Sequence, residues 1–375
     1  MLSLDPRGER VQEGIAMRRR FGTVLGTAMF MGALVLAAAA PVAAHDDDSR
    51  GRATVIRDGL ASPKALAIFS RNSIALGAGA YGPPGPALEY VFRGEHKGTF
   101  RTILDPISVV DGAVTPDGAM WAIGTDQMLY RVGSSGVPEP ILNIAEYQKA
   151  DPDPYNNPVE DPAETNPFGL AALKSNDVLL ADAAGNDIIR VKPDGTAWTV
   201  ARFPRRLVKT DKVGDPTLPP KLLAEAVPTS IAIGRDGYAY VGQLVGFPGR
   251  PGSAYVWRIN PNAKDALCEV GHARRSCRTW KGGFTSIMDL AFDPRNGTLY
   301  VYQIARKGWL AFEEGFTPGG VFPKAVLLEV PRHGDRRELV KGKLSQPGGI
   351  VVGRGGEIFV TDGMFTGGRL LRIRR

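Results

Sequence analysis

Residues 166–200 read NPFGLAALKSNDVLLADAAGNDIIRVKPDGTAWTV. Four short apolar runs, at 169–173, 178–181, 188–191 and 198–200, are separated by Ser175-Asn176-Asp177, Ala184-Gly185-Asn186 and Pro193-Asp194-Gly195. Runs of this length, punctuated by Asn, Asp, Gly and Pro, predict strands joined by tight hairpins. A lone four-stranded meander has two faces and nothing to bury them against. The fold therefore turns on whether the unit repeats.

It does. The first run recurs at 65–68, 112–114, 169–172, 230–233, 289–292 and 349–352. Each copy leads through a turn, such as Pro116-Asp117-Gly118, Arg235-Asp236-Gly237 or Asn296-Gly297, into a second run. Asp-Gly and Asn-Gly between apolar runs are strong hairpin signals. Third runs end in apolar-Arg-apolar at 129–132, 188–191, 256–259 and 371–373, and fourth runs follow at 100–104, 140–144, 198–201, 277–280 and 338–340. One fourth run is missing after 369–374. The segment Thr54-Val55-Ile56-Arg57 resembles the fourth run near 338 and supplies it from the other end of the chain. The expectation is an all-β, six-bladed β-propeller over residues 53–375, closed as one domain by 54–57 pairing with 369–374.

Upstream, Arg18-Arg19-Arg20 precedes an apolar run at 21–40 and then Pro41-Val42-Ala43-Ala44. These are the parts of a secretory signal cut after Ala44, with Met17 as an alternative start; an anchor retained in the membrane is the competing reading. Residues 45–52, with His45 and three Asp, read as a solvated tail. Export to the periplasm or the extracellular space is expected, with no membrane span once the signal is removed, and a monomer. The chain has 375 residues and a formal charge of +7. Its Lys and Arg are scattered, without a basic block, which argues against a nucleic-acid partner. In an exported chain the pair Cys268 and Cys277 favours a disulfide over two free thiols. Zinc would need two further ligands, and none stands at motif spacing.

Two insertions, 146–165 and 204–226, each lead into a first strand, and the loops 246–252 and 307–323 join second strands to third. All four belong to one face of a propeller, which becomes the expected ligand face. Trp309, Phe312, Phe316 and Phe322 can form an apolar lid there or pack beneath the loop.

Asn166-Pro167-Phe168-Gly169, the run from Leu180 through Asp182, Asn186 and Arg190 to Val191, Val227-Pro228-Thr229, Gly246-Phe247-Pro248 and Ile287-Met288-Asp289-Leu290 together resemble the ScyD/ScyE family of exported proteins. The resemblance runs over nearly all of residues 54–374. It implies a secreted six-bladed propeller and no particular reaction. The broader pattern is similar to NHL-type and SMP-30/gluconolactonase-type propellers. This chain departs from the usual blade at Ala75-Leu76-Gly77-Ala78 and at Tyr302-Gln303, where acidic residues are common.

Gly77-Ala78-Gly79-Ala80-Tyr81-Gly82 matches a dinucleotide fingerprint, but Pro83-Pro84 leaves no helix to receive a pyrophosphate. His45, His96, His272 and His333 fall in the tail or outer connections, which argues against a His-based triad or metal site near the axis. Asp111, Asn166 and Asp289 stand at first strands, and Asp182, Gln243, Gln303 and Asp362 end second strands near the same mouth. Oxygens from Asn166, Asp182 and Asp289 suit Ca2+ or another divalent cation, and a metal-activated water could open a lactone. SMP-30-type enzymes also use a first-strand Glu, which has no counterpart here. The competing role for these side chains is capping of nearby backbone. Two functions follow. One is a non-enzymatic module holding a protein, glycan or small molecule on the loop-rich face; the other is a metal-dependent, lactonase-like hydrolase.

Overall fold

The computed structural model describes residues 51–104 and 108–375; the leader and residues 45–50 of the tail lie outside them. Six antiparallel sheets follow one another. The first four have inner-to-outer strands Leu66–Ile68, Ser73–Leu76, Ala87–Val91, Phe100–Leu104; Val109–Val114, Met120–Gly124, Met128–Val132, Pro138–Asn143; Pro167–Ala172, Val178–Asp182, Asp187–Val191, Ala197–Arg202; and Pro228–Ile233, Ala239–Gln243, Ala254–Ile259, Cys277–Phe284. The fifth has Ile287–Phe292, Leu299–Gln303, Val326–Val330 and Arg337–Leu339. The sixth runs Pro347–Val352, Ile358–Asp362, Gly367–Arg374, and its outermost strand is Arg52–Ala61. The inner strands touch in the order one to six and back to one, so the ring closes.

The closing strand is antiparallel to the last one, from Arg52 opposite Arg374 to Ala61 opposite Gly367. It is an outermost strand, mostly open to solvent, which is why Arg57 and Asp58 are tolerated in it. Turn chemistry behaves as the sequence predicts: Gly118, Gly195, Gly237, Gly297 and Gly356 all take positive φ.

Apolar side chains alternate along each strand and so fill the gaps between blades. In blade three, Val178 and Leu180 pack towards blade two, while Leu179 and Ala181 pack towards blade four. Similar layers join blades four to five, five to six and six to one. The layer between blades one and two is thinner: two small clusters, with an apolar cavity of about 40 Å3 beside them. Ala65, Ala67 and Ala75 line it, too small to fill the space.

The insertions carry local structure. Helix α1 (Ile144–Ala150) is capped by Asn143, whose Oδ1 accepts the Glu146 N–H at 3.1 Å. The 204–226 segment folds as a hairpin, Arg206–Lys209 against Lys221–Ala224. A second short helix, α2 (Trp309–Glu313), sits in the 307–323 loop. Arg250 donates to both carboxylate oxygens of Asp211 (2.5 and 3.2 Å), and the Gly246 N–H to the Glu225 carbonyl (3.0 Å). The 246–252 loop and the 204–226 insertion therefore meet, as expected for connections on one face. Cys268 and Cys277 form a disulfide. Among the described residues no helix is long and apolar enough to cross a membrane.

Candidate functional site

Five of the six inner strands, all but that of blade one, bulge near their start, and in blades two, three and five the residue just past the bulge faces the neighbouring blade. Asp111 and Asp289 occupy this position in blades two and five, where blade three has Gly169. At Gly169 a Cβ would lie 2.7 Å from the Thr229 carbonyl, so only glycine fits. The two aspartates instead reach forward: Asp111 Oδ2 accepts the Leu170 N–H of blade three (2.8 Å), and Asp289 Oδ2 accepts the Ile350 N–H of blade six (2.7 Å). Each thus latches one inner strand to the next.

Lys64 acts on both through its charge. It precedes the first inner strand, is only 4% exposed, and its Nζ donates to the Phe168 carbonyl (2.5 Å) while lying 4.0 Å from the centre of that ring. Burial raises the pKa of Asp111, with the Lys64 charge and the Leu170 bond opposing. Asp289 is pushed up to about 7 by burial and then by the Asp111 charge, against the pull of Lys64. One cation is shared by two carboxylates, and near neutral pH the pair holds part of a proton. Both aspartates are only partly buried. The sequence signal for Lys64 was faint: a lysine just before an inner run, where the other blades place Val110, Phe168, Thr229, Met288 and Gly348.

The residues that end the second strands have a different task. Gln303 Oε1 accepts the Thr285 N–H (2.7 Å) and Asp362 Oδ1 the Ser345 N–H (2.7 Å). Asp182 Oδ1 accepts the Asn166 N–H (2.8 Å). Each ties down the loop entering its own blade. Asp362 also binds Tyr302 and Arg369. Asp182 further accepts from Thr165, Ala184, Gly185 and Gln148. Gln243 departs from this pattern, with its Oε1 3.4 Å from the Tyr255 nitrogen.

Asp182 heads a buried acidic group that the sequence did not single out. Asp187 lies opposite it in the strand register, and both are fully buried. Gln148, carried in by α1, donates to both. Asn186 donates to Asp153 and Glu225. Burial, with the neighbouring Asp182 charge, holds the Asp187 pKa far above the ordinary range. Glu225 rises to about 8, by burial first and then the Glu160 charge.

Asp289 thus takes its partners from the channel, and Asp182, with the Asn166 backbone, from the loops of blade three. Among the described residues no three His, Cys, Asp or Glu side chains are placed to hold a metal ion. The oxygens of Asp182 already accept five donors, which leaves that carboxylate poorly suited to a divalent cation.

On the loop-rich face, aromatic rings from three blades meet. Tyr81 stacks on Phe365 (5.0 Å between centroids), and Phe365 packs on Phe312 (5.7 Å) and Phe316 (5.2 Å). Phe322 joins Phe312 and Phe316. Phe312 is buried, whereas Phe316 stays 47% exposed, so the cluster both packs the loop and shows a ring to solvent. Tyr81 links it to the channel: burial raises its hydroxyl pKa, and the Asp111 charge raises it further.

No family model and no curated protein matches the chain. Solved structures do. A gluconolactonase from Xanthomonas campestris is 11% identical, with 86% of this chain and 90% of that chain covered and a TM-score of 0.51. A glucose dehydrogenase is 12% identical, with 86% and 99% covered and a TM-score of 0.52. The chain is similar to these propellers in fold.

Proposed function

We propose that the chain is an exported binding propeller of the ScyD/ScyE type that holds an extracellular ligand on its loop-rich face, over the channel mouth. The observation that carries this reading is the convergence of connections from blades one, five and six into one aromatic platform, Tyr81–Phe365–Phe312–Phe316, beside the Asp111 carboxylate. Rings flanking a polar well suit a ligand with apolar faces and hydroxyl edges, such as a saccharide. The candidate acids support binding over turnover, because their oxygens hold backbone N–H groups of adjacent strands and loops. The test is a glycan array followed by calorimetry on the mature chain. A hit should weaken at least tenfold in Tyr81→Ala or Phe365→Ala, with circular dichroism unchanged. Binding that ignores both substitutions removes this site from consideration.

One observation favours a second reading, hydrolysis of a lactone. Asp289, with a pKa near 7 beside Lys64 and Asp111, can exchange a proton at neutral pH. Water would add to the lactone carbonyl as Asp289 takes its proton. The ring C–O bond would then break, and its oxygen would leave as an alcohol after receiving that proton. The similarity of fold to a gluconolactonase makes a lactone the first substrate to try. Turnover of gluconolactone that vanishes in Asp289→Asn would establish this reading in place of the first.

A further inference from the structure

A cavity of about 230 Å3 opens at the rim between blades three and four. The chain leaving Ala197–Arg202 brings Phe203 and Arg206 to it, blade four contributes Gln243 and Trp257, and the disulfide loop closes it with Glu269 and His272. That loop is fixed from both sides. The Cys268 N–H donates to the Arg202 carbonyl (2.9 Å), and the disulfide ties Cys268 to the outer strand of blade four.

The wall holds an excess of donors. Gln243 and Trp257 are each 1% exposed, yet Gln243 Nε2 and Trp257 Nε1 have no partner. Arg206 donates through Nη2 to the Ser253 carbonyl (2.6 Å) and lies over the Tyr255 ring, but its Nε is buried and unpartnered. No described carboxylate lies within ion-pair distance of Arg206, so its charge is uncompensated. Nearby Arg205 pairs with Glu225 at 3.5 Å, and Glu269 at the rim pairs with Arg274 at 3.5 Å. Buried polar groups are almost always satisfied, and a buried charge wants a counter-charge. Three orphaned donors around one cavity, one of them cationic, describe the complement of an anion.

We propose that this rim cavity binds a small organic carboxylate. The Arg206 guanidinium and the Gln243 amide take its oxygens, Trp257 Nε1 supplies a further donor, and the rings of Phe203 and Trp257, which pack edge to face at 5.5 Å, wall its apolar body. A planar guanidinium suits a planar carboxylate. The site shares no residue with the aromatic platform or with the Lys64 channel, and it does not depend on the function proposed for them.

The mature chain, titrated by calorimetry with benzoate, gluconate and inorganic phosphate, tests the proposal. Saturable binding of one of the two carboxylates is expected, together with a rise in Tm that grows with its concentration. Arg206→Met should weaken that binding about tenfold or more, and Gln243→Leu by less. Arg206→Lys, which keeps the charge and the fold but loses the planar fork, should fall between wild type and Arg206→Met. Glu338→Gln, on the outer strand of blade five, should leave the binding unchanged. The proposal is overturned if neither carboxylate binds, if phosphate alone binds, or if a carboxylate binds Arg206→Met as well as wild type.

Discussion

The loop-rich face carries two buried polar groups of opposite kind. Under α1, carboxylates outnumber cations: Asp153, Asp182, Asp187 and Glu225 take the neutral side chains of Gln148 and Asn186 between them, and among the described residues Arg205 alone pairs with the group, 3.5 Å from Glu225. At the rim between blades three and four, donors outnumber acceptors: Arg206, Gln243 and Trp257 hold N–H groups with nothing to receive them. The two imbalances are not equivalent. An acid can relieve a missing donor by keeping a proton, as the raised pKa values of Asp187 and Glu225 record. An amide, an indole or a guanidinium has no such recourse near neutral pH. The acid-rich group can therefore complete itself, whereas the donor-rich cavity can be completed only from outside. The first reads as architecture and the second as a binding site.

The sharpest way to break this comparison is to remove the acid on which the first group depends. Asp182→Ala strips the partner from the Asn166, Ala184 and Gly185 N–H groups and from Thr165 and Gln148 at once. All but Gln148, which still donates to Asp187, lose that acceptor where the carboxylate was 0% exposed. A loss of about 3 kcal/mol in unfolding free energy is expected by denaturant titration. A loss below about 1 kcal/mol would mean that the acids are not structural, and the comparison would fail.

The disulfide tests the other side. Cys268 and Cys277 are separated by 9 positions, and replacing both with Ser releases the loop that walls the rim cavity. For a loop of this size the expected loss is about 2–3 kcal/mol. Carboxylate binding at the rim should suffer with it, while the environment of Gln148 and Asp187, followed by NMR, should stay as it was. A disturbance that reaches the acid group would show that the two regions are coupled.

How much of this was legible in the sequence follows from range. Turn chemistry is local, so Gly118, Gly195 and Gly237 located their hairpins, and counting the hairpins located the blades. Ring closure was legible because one fourth strand was missing at one end of the chain and surplus at the other. The site was not, because its logic lies between blades. Lys64 matters through Phe168, 104 positions away, and through two aspartates on other strands. Gln243 read as a channel residue from its place at a strand end; the structure sets it in the wall of the rim cavity. Arg206, within the 204–226 insertion, is notable for the partner its Nε lacks, and no pattern of residues announces an absence. Even the pair Asp182 and Asp187, close in sequence and opposed in register, hid behind a turn signal strong enough to account for both.

The smallest expected effect concerns protons. Glu225 has a folded pKa of about 8 against an ordinary 4.5. At low pH it is protonated both folded and unfolded and contributes nothing to the difference. As pH rises past 4.5 the unfolded chain releases the proton while the folded chain keeps it, so unfolding is favoured until the folded group also titrates near 8. Stability should therefore decline across this window and level off above it. Each tenfold rise in proton affinity is worth about 1.4 kcal/mol. Glu225→Gln keeps the shape and the acceptor facing Asn186 but cannot ionise. It should flatten the decline and leave the protein more stable than wild type at pH 8–9, by an amount on the order of 1 kcal/mol or more. Urea titrations across the pH range measure it directly. If Glu225→Gln were instead less stable at high pH, the charged carboxylate would be the partner that Arg205 requires. The acid group would then be held by ion pairing, not by retained protons, and the contrast with the rim cavity would have to rest on Asp187 alone.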